Sequence, residues 1–88
     1  MNNFRLVLSS PYGNIFDGYA QKLTLRGVEG DLAVLAGHVP MITEVKPGTV
    51  CVTLEDGTEK SADTNGGLLA VSPECVTVTS GKIEFEDE

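Results

Sequence analysis

The chain has 88 residues, 41% of them hydrophobic, and carries 13 acidic side chains against 6 basic ones, a formal net charge of −7. That length bounds it to one domain with a modest core, and the negative surplus repels a phosphate backbone, which argues against nucleic acid as a partner. Apolar runs stop far short of the ~20 residues a membrane-spanning helix needs. The opening MNNFRLVLSS lacks the charged start, long apolar centre and cleavage site of a secretory leader, so the chain reads as one made and kept inside a cell.

Ten Gly and four Pro are spread so that Met1 to Ser10 is the longest stretch free of both, and later gaps never exceed eight residues. A typical helix of about 11 to 12 residues has almost nowhere to form. Short strands fit instead. Taken in chain order, Phe4, Leu6 and Leu8 alternate with Arg5, Val7 and Ser9, and Asp17-Gly18 follows as a hairpin signal. Leu23 and Leu25 alternate with Lys22, Thr24 and Arg26; Pro47-Gly48 suits the centre of a type II turn. Val50, Val52 and Leu54 then alternate up to Asp56-Gly57, a second hairpin signal, and Asn65-Gly66-Gly67 supplies positive-φ positions. Val76 and Val78 make a further strand, and Lys82 to Glu86 keeps the alternation through Ile83 and Phe85 as an edge strand before the acidic end Glu86-Asp87-Glu88. Turns every 8 to 12 residues or so predict an all-β, flattened antiparallel sandwich or barrel of about eight to ten strands. The expected division is a sandwich over residues 1–81 and a short acidic extension over 82–88.

Candidate chemistry is sparse. The single histidine, His38, stands in the Gly/Pro-framed run GDLAVLAGHVP, where it could be a base, a metal ligand, a contact for another molecule or a plain turn residue. A hydrolytic triad needs a nucleophile in a suitable turn, and no G-x-S-x-G elbow is present. One His with Cys51 and Cys75, separated by 24 positions, falls short of a four-ligand zinc site; the two cysteines read as small buried or half-buried strand residues. There is no phosphate-binding G-x-x-x-x-G-K-[ST] loop. The carboxylate pairs Glu29/Asp31 and Glu55/Asp56 sit at expected turns, where acidic residues are ordinary. Elimination points to a binding or scaffolding module that uses no cofactor and no metal.

The run VEGDLAVLAGHVPMITEVKPG, Val28 to Gly48, resembles the core motif of the epsilon subunit of rotary F-type ATP synthases. The resemblance rests on Glu29, Gly30, Asp31, Leu32, Leu35, Gly37, His38, Pro40, Thr43, Lys46, Pro47 and Gly48 in order. Leu6-Val7-Leu8 with Pro11, Gly13, Phe16 and Gly18 is similar to that family's first hairpin, and Gly66 to Val71 with Val76-Thr77-Val78 to a later segment. Thr64-Asn65 departs from the serine usual before the paired glycines.

The resemblance implies a ten-stranded flattened sandwich at the foot of the central stalk, without an active site, coupling the gamma subunit to the membrane c-ring. It implies that the end carrying the E-G-D turn and the G-H-x-P loop faces those partners. Glu29 and Asp31 then become candidates for the c-ring loops, and His38 and Thr43 for the gamma and ring side; Gly30, Gly37, Pro40, Pro47 and Gly48 shape the loops. No nucleotide binding is implied, because the family's C-terminal helical pair, which carries inhibition and nucleotide sensing, has no counterpart in Ser80 to Glu88. That ending reads as a naturally short subunit. The implied location is the cytoplasmic face of a bacterial plasma membrane, or its organellar equivalent, peripheral through the complex. Two other readings stay beside it: a lipoyl- or biotinyl-type carrier, which needs a lysine at a hairpin tip where only Lys46 and Lys60 are available, and a hydrolase dependent on His38.

Overall fold

A computed structural model describes residues 3–37 and 39–86. Among them are nine strands and no helix: β1 Phe4–Ser10, β2 Gly13–Gly27, β3 Gly30–Leu35, β4 Met41–Val45, β5 Gly48–Leu54, β6 Glu59–Thr64, β7 Gly67–Val71, β8 Val76–Ser80 and β9 Ile83–Phe85. Strand β2 organises them. Its first half pairs with β1, from Ser10↔Gly13 to Phe4↔Ala20, and its second half lies between β3 (Gly27↔Gly30 to Lys22↔Leu35) and β5 (Ala20↔Leu54 to Thr24↔Cys51). The register slips between Ala20 and Lys22. A bulge of that kind bends a strand, and it lets one chain segment serve two layers.

One layer runs β4-β7-β8-β1 and then the first half of β2; the other runs β3, the second half of β2, β5, β6 and β9. All pairings are antiparallel except β1 with β8. The inward residues named by the period-two pattern form the core: Leu6 and Leu8, Leu23 and Leu25, Val50 and Val52, and Val76 and Val78 are all buried, while Phe4 and Leu54 pack against them partly buried. Each such side chain contributes roughly 1.5–3 kcal/mol when fully removed from water. Val34, Val45, Leu69, Val71, Ala20, Ala62 and Ile83 complete it.

Turn chemistry was legible in part. Asp56-Gly57 is the β5–β6 turn as expected: Asp56 Oδ1 accepts from Thr58 N–H at 2.9 Å, Gly57 N–H donates to Leu54 O at 2.9 Å, and Gly57 sits at φ 90°. Asp17-Gly18, by contrast, is not a turn but the middle of β2. The pairing across to β1 decides this: Asp17 takes a two-pronged hydrogen bond from Arg5 (Nε to Oδ1 3.0 Å, Nη2 to Oδ2 2.9 Å), and the Phe16 ring lies where a Gly18 Cβ would come within 3.0 Å of it. The first hairpin turns instead at Pro11-Tyr12, with Gly13 at φ 120°. Pro at the first centre position and a glycine two residues on match a type I turn. Pro47-Gly48 is likewise no type II turn: Gly48 lies at φ 153°, far from the ~80° such a turn requires, and Lys46-Pro47 carries the chain from one layer to the other. With β2 unbroken, the described residues make nine strands rather than the ten the resemblance implies.

The edge strand expected at Lys82 to Glu86 is β9, with Ile83 buried and Phe85 half-buried; Asp87 and Glu88 lie outside the described residues. Phe85 meets Phe16 edge to face at 6.2 Å, and Lys60 Nζ stands 5.9 Å from the Phe85 centroid. Of the cysteines, Cys75 is half-buried just ahead of β8, but Cys51 points outward from β5 and is exposed, because Val50 and Val52 take the inward places; both are free thiols. Among the described residues, Thr64 and Ser80 are the buried polar ones. Their hydroxyls lie 2.7 Å apart, Gly66 N–H donates to Thr64 Oγ1 at 3.0 Å, and Lys82 N–H donates to Ser80 Oγ at 3.2 Å. A buried hydroxyl needs such partners, and here they tie β6, β8 and the approach to β9 together.

Candidate functional site

The β2–β3 connection is Val28-Glu29, closed by Gly30 at φ 118°. Only glycine adopts that conformation cheaply, so Gly30 shapes the turn that lifts Glu29 clear of the sheet. Asp31 is the second residue of β3, not a turn residue, and is exposed. Thr43 comes from the middle of β4, where alternation with buried Val45 places it inward and half-buried. Chain folding brings these together. Glu29, Gly30, Asp31 and Thr43 line one hollow of about 410 Å³, whose remaining walls are Gly27, Val28, Leu32 and Met41.

Its rim is acidic. Asp31 lies 3.9 Å from Arg26, both well exposed, which is the loose limit of an ion pair and of little energetic weight. Glu44 and Lys46 stand 3.8 Å apart on the neighbouring stretch of β4 and beyond. Beneath the carboxylates the hollow is apolar, with half-buried Leu32 and Met41 and exposed Val28. Leu32, Met41 and Val28 did not stand out as site residues in the sequence, although the alternation of Met41 with Thr43 and Val45 gives Met41 the same inward direction.

The remaining candidates fall elsewhere. Gly37, at φ 84°, lies two residues beyond the far end of β3, whose six residues separate Gly30 from Leu35 by about 17 Å at the rise of an extended strand. The E-G-D turn and the loop after Gly37 therefore stand at opposite ends of β3, rather than at the one end the resemblance implies. Gly37 borders a different hollow, of about 210 Å³, with Arg5, Tyr19 and Glu74. His38 lies outside the described residues. Pro40 is exposed directly before β4, and Pro47 and Gly48 stand exposed at the β4–β5 crossing.

Chemically the acidic hollow offers charge, a few polar contacts and an apolar floor. Among the described residues no group of three or more His, Cys, Asp or Glu stands close enough together to hold a metal ion. Neither lysine weighed for a carrier occupies a hairpin tip: the β5–β6 tip is Glu55 to Thr58, Lys60 lies in β6, and Lys46 in the crossing. No helix is long and apolar enough to cross a membrane among the described residues.

Comparison with known proteins gives the same architecture. The family model described as ATP synthase, delta/epsilon chain, beta-sandwich domain matches residues 3–86. Among solved structures, a chain of the Euglena gracilis mitochondrial ATP synthase (OSCP/F1/c-ring, rotational state 1) superposes with a TM-score of 0.90 at 24% identity, over 97% of this chain and 54% of that one. A chain of the Tetrahymena thermophila mitochondrial ATP synthase central stalk and c-ring gives 0.76 at 16% identity, over 91% of this chain and 64% of that one. The chain thus spans a little over half to under two-thirds of the solved chains it matches, and at these identities the likeness is one of fold.

Proposed function

Because the chain belongs to the family of ATP synthase delta/epsilon chain β-sandwich domains, we propose that it is a non-catalytic rotor module, docking on the gamma subunit and on the polar loops of the c-ring so that ion-driven ring rotation is passed to the stalk. The observation that carries this reading is the meeting of Glu29 and Asp31, from the β2–β3 turn and the start of β3, with Thr43 of β4 in a single acidic hollow. Torque transfer asks for surfaces held at fixed separation, not for a reactive group. A sandwich with a buried aliphatic core and a long β2 that pairs into both layers supplies that stiffness. His38 is kept as a contact on the gamma side. The module would sit peripherally, held through the complex, on the cytoplasmic face of a bacterial plasma membrane or its organellar equivalent.

Two measurements test the reading. An affinity-tagged chain solubilised from membranes should co-purify with gamma, alpha and beta chains, and its addition to complexes lacking the subunit should restore coupled ATP synthesis. A chain that never appears with those partners, or that restores nothing when bound, overturns the proposal.

A further inference from the structure

The open sides of the sandwich are finished differently. At β9 the edge is three residues long, carries Glu84 beside Asp63 of β6, and is sealed by the Phe85–Phe16 contact across to the other layer. A short, charged and covered edge resists pairing with another chain. At β3 less of this is done: the strand is six residues long, its one charge is Asp31 near its start, and among the described residues no ring contact seals it. That strand pairs only with β2, so among the described residues its outer edge from Gly30 to Leu35 is unpaired. It holds neither Lys nor Pro, and its last four residues, Leu32-Ala33-Val34-Leu35, are apolar. Strand β4, beside it in the opposite layer, pairs with β7 along its length and touches β2 only at Gly27↔Val45. Between the two edges lies the acidic hollow, floored by Leu32, Met41 and Val28.

We propose that this open side receives an extended segment of a partner polypeptide, which adds to β3 as a further strand. An added strand gains affinity from main-chain hydrogen bonds and specificity from pockets that take alternate side chains. Here the inward side chains of the segment meet Leu32 and Met41 and must be aliphatic; of the outward ones, those that pass Asp31 and the adjoining Glu29 must be basic, while the rest pass Ala33 and Leu35. A second copy of this chain is the wrong occupant, since pairing β3 with β3 brings together two molecules of formal charge −7. The inference rests on the reading that this hollow is a partner-binding site, and adds that a segment of extended main chain lies along its β3 edge.

The test uses the isotopically labelled full chain and a synthetic eight-residue peptide that alternates lysine with valine and carries one leucine at an apolar position. Saturable binding that slows amide exchange within Gly30–Leu35 by about ten-fold, with β9 amides unchanged, is the expected result. Glu29→Gln and Asp31→Asn should each weaken binding by about two- to five-fold, the weight of an exposed ion pair. Ala33→Lys adds a charge at an exposed edge position; it should abolish binding while leaving the unfolding midpoint unchanged. Four outcomes overturn the inference: no saturable binding at millimolar peptide, equal binding by a version N-methylated at alternate residues, protection outside β3, or a dimer of the chain joined through β3. Co-purification with stalk partners alongside any of these sinks strand addition alone, whereas strand addition without co-purification sinks the stalk reading alone.

Discussion

Replacing Gly67 by alanine should cost more than any other glycine substitution in the molecule, and the reason is a contact rather than a dihedral angle. Gly67 opens β7 opposite Ser80 of β8 and faces Val45 of β4 on its other side, and its φ is not positive. A Cβ placed there runs into the Thr79 carbonyl oxygen, and it stands 2.9 Å from both Ser80 Cα and the Thr79 carbonyl carbon. Carbon pairs prefer about 3.5–4.0 Å, so the carbons alone require the strands to part by roughly 0.6–1.1 Å, and the carbonyl oxygen requires more. All three obstacles are backbone, and no rotamer relieves them. Moving β7 away from β8 presses it on β4, and it stretches the contacts of Ser80 with Gly66 O (2.7 Å) and Thr64 Oγ1 (2.7 Å). Overpacking costs about 1–3 kcal/mol and a weakened buried hydrogen bond about 1 kcal/mol more, for a total of about 3 kcal/mol. In a domain of this size that lowers Tm by about 12–24 °C. Urea unfolding and calorimetry of Gly67→Ala should be set beside Gly30→Ala, whose Cβ meets open space and whose cost is only the positive φ, about 1 kcal/mol. Equal destabilisation by the two substitutions would refute the steric argument.

Other consequences follow from the polar contacts. Ser80→Ala removes the hub that Lys82 N–H and Thr64 share, leaves the buried Thr64 hydroxyl with Gly66 alone, and should lower stability by about 1–3 kcal/mol in urea titrations, while Thr64→Val with Ser80→Ala should recover part of that loss. Hydrogen bonding from Arg5 holds the Asp17 carboxyl below its ordinary value. A depressed native pKa makes its stabilisation present above about pH 4 and lost as pH falls through the lowered value; Asp17→Asn should therefore flatten the acid limb of the stability curve. Glu86 has the opposite sign. Its hydrogen bond to Asp63 and the charge of that carboxylate raise its pKa, so its contribution exists at acid pH and is lost as pH rises through the raised value. Glu86→Gln should remove that loss, seen as a smaller fall in unfolding midpoint between acid and neutral pH.

Much of the fold was written locally. Period-two alternation named Leu6, Leu8, Leu23, Leu25, Val50, Val52, Val76 and Val78 as inward residues, and all are buried. Alternation is a property of the extended chain itself, so it survives without knowledge of partners. Asp56-Gly57 was legible for the same reason: its turn is closed by groups within four residues of one another. Asp17-Gly18 was not, because a dipeptide suited to a turn was held straight by Arg5, twelve residues away, and by a glycine that makes room for Phe16.

For the candidate site the division is similar. Glu29, Gly30, Asp31 and Thr43, and likewise Gly37, Pro40, Pro47 and Gly48, were singled out by the resemblance of the run Val28 to Gly48 to a known family. That the first four share a hollow and Gly37 stands a strand's length away depends on β3 and β4 belonging to different layers, which is decided by pairings with β2 and β7. The sequence by itself determined an all-β chain with short strands, an acidic surface and a known run of turn-shaping residues, since each of these needs only neighbours in the chain. Which edge was sealed and which left open, and that an apolar floor lies under Glu29 and Asp31, only the tertiary structure decided, because both depend on contacts between residues that sequence spacing does not bring together.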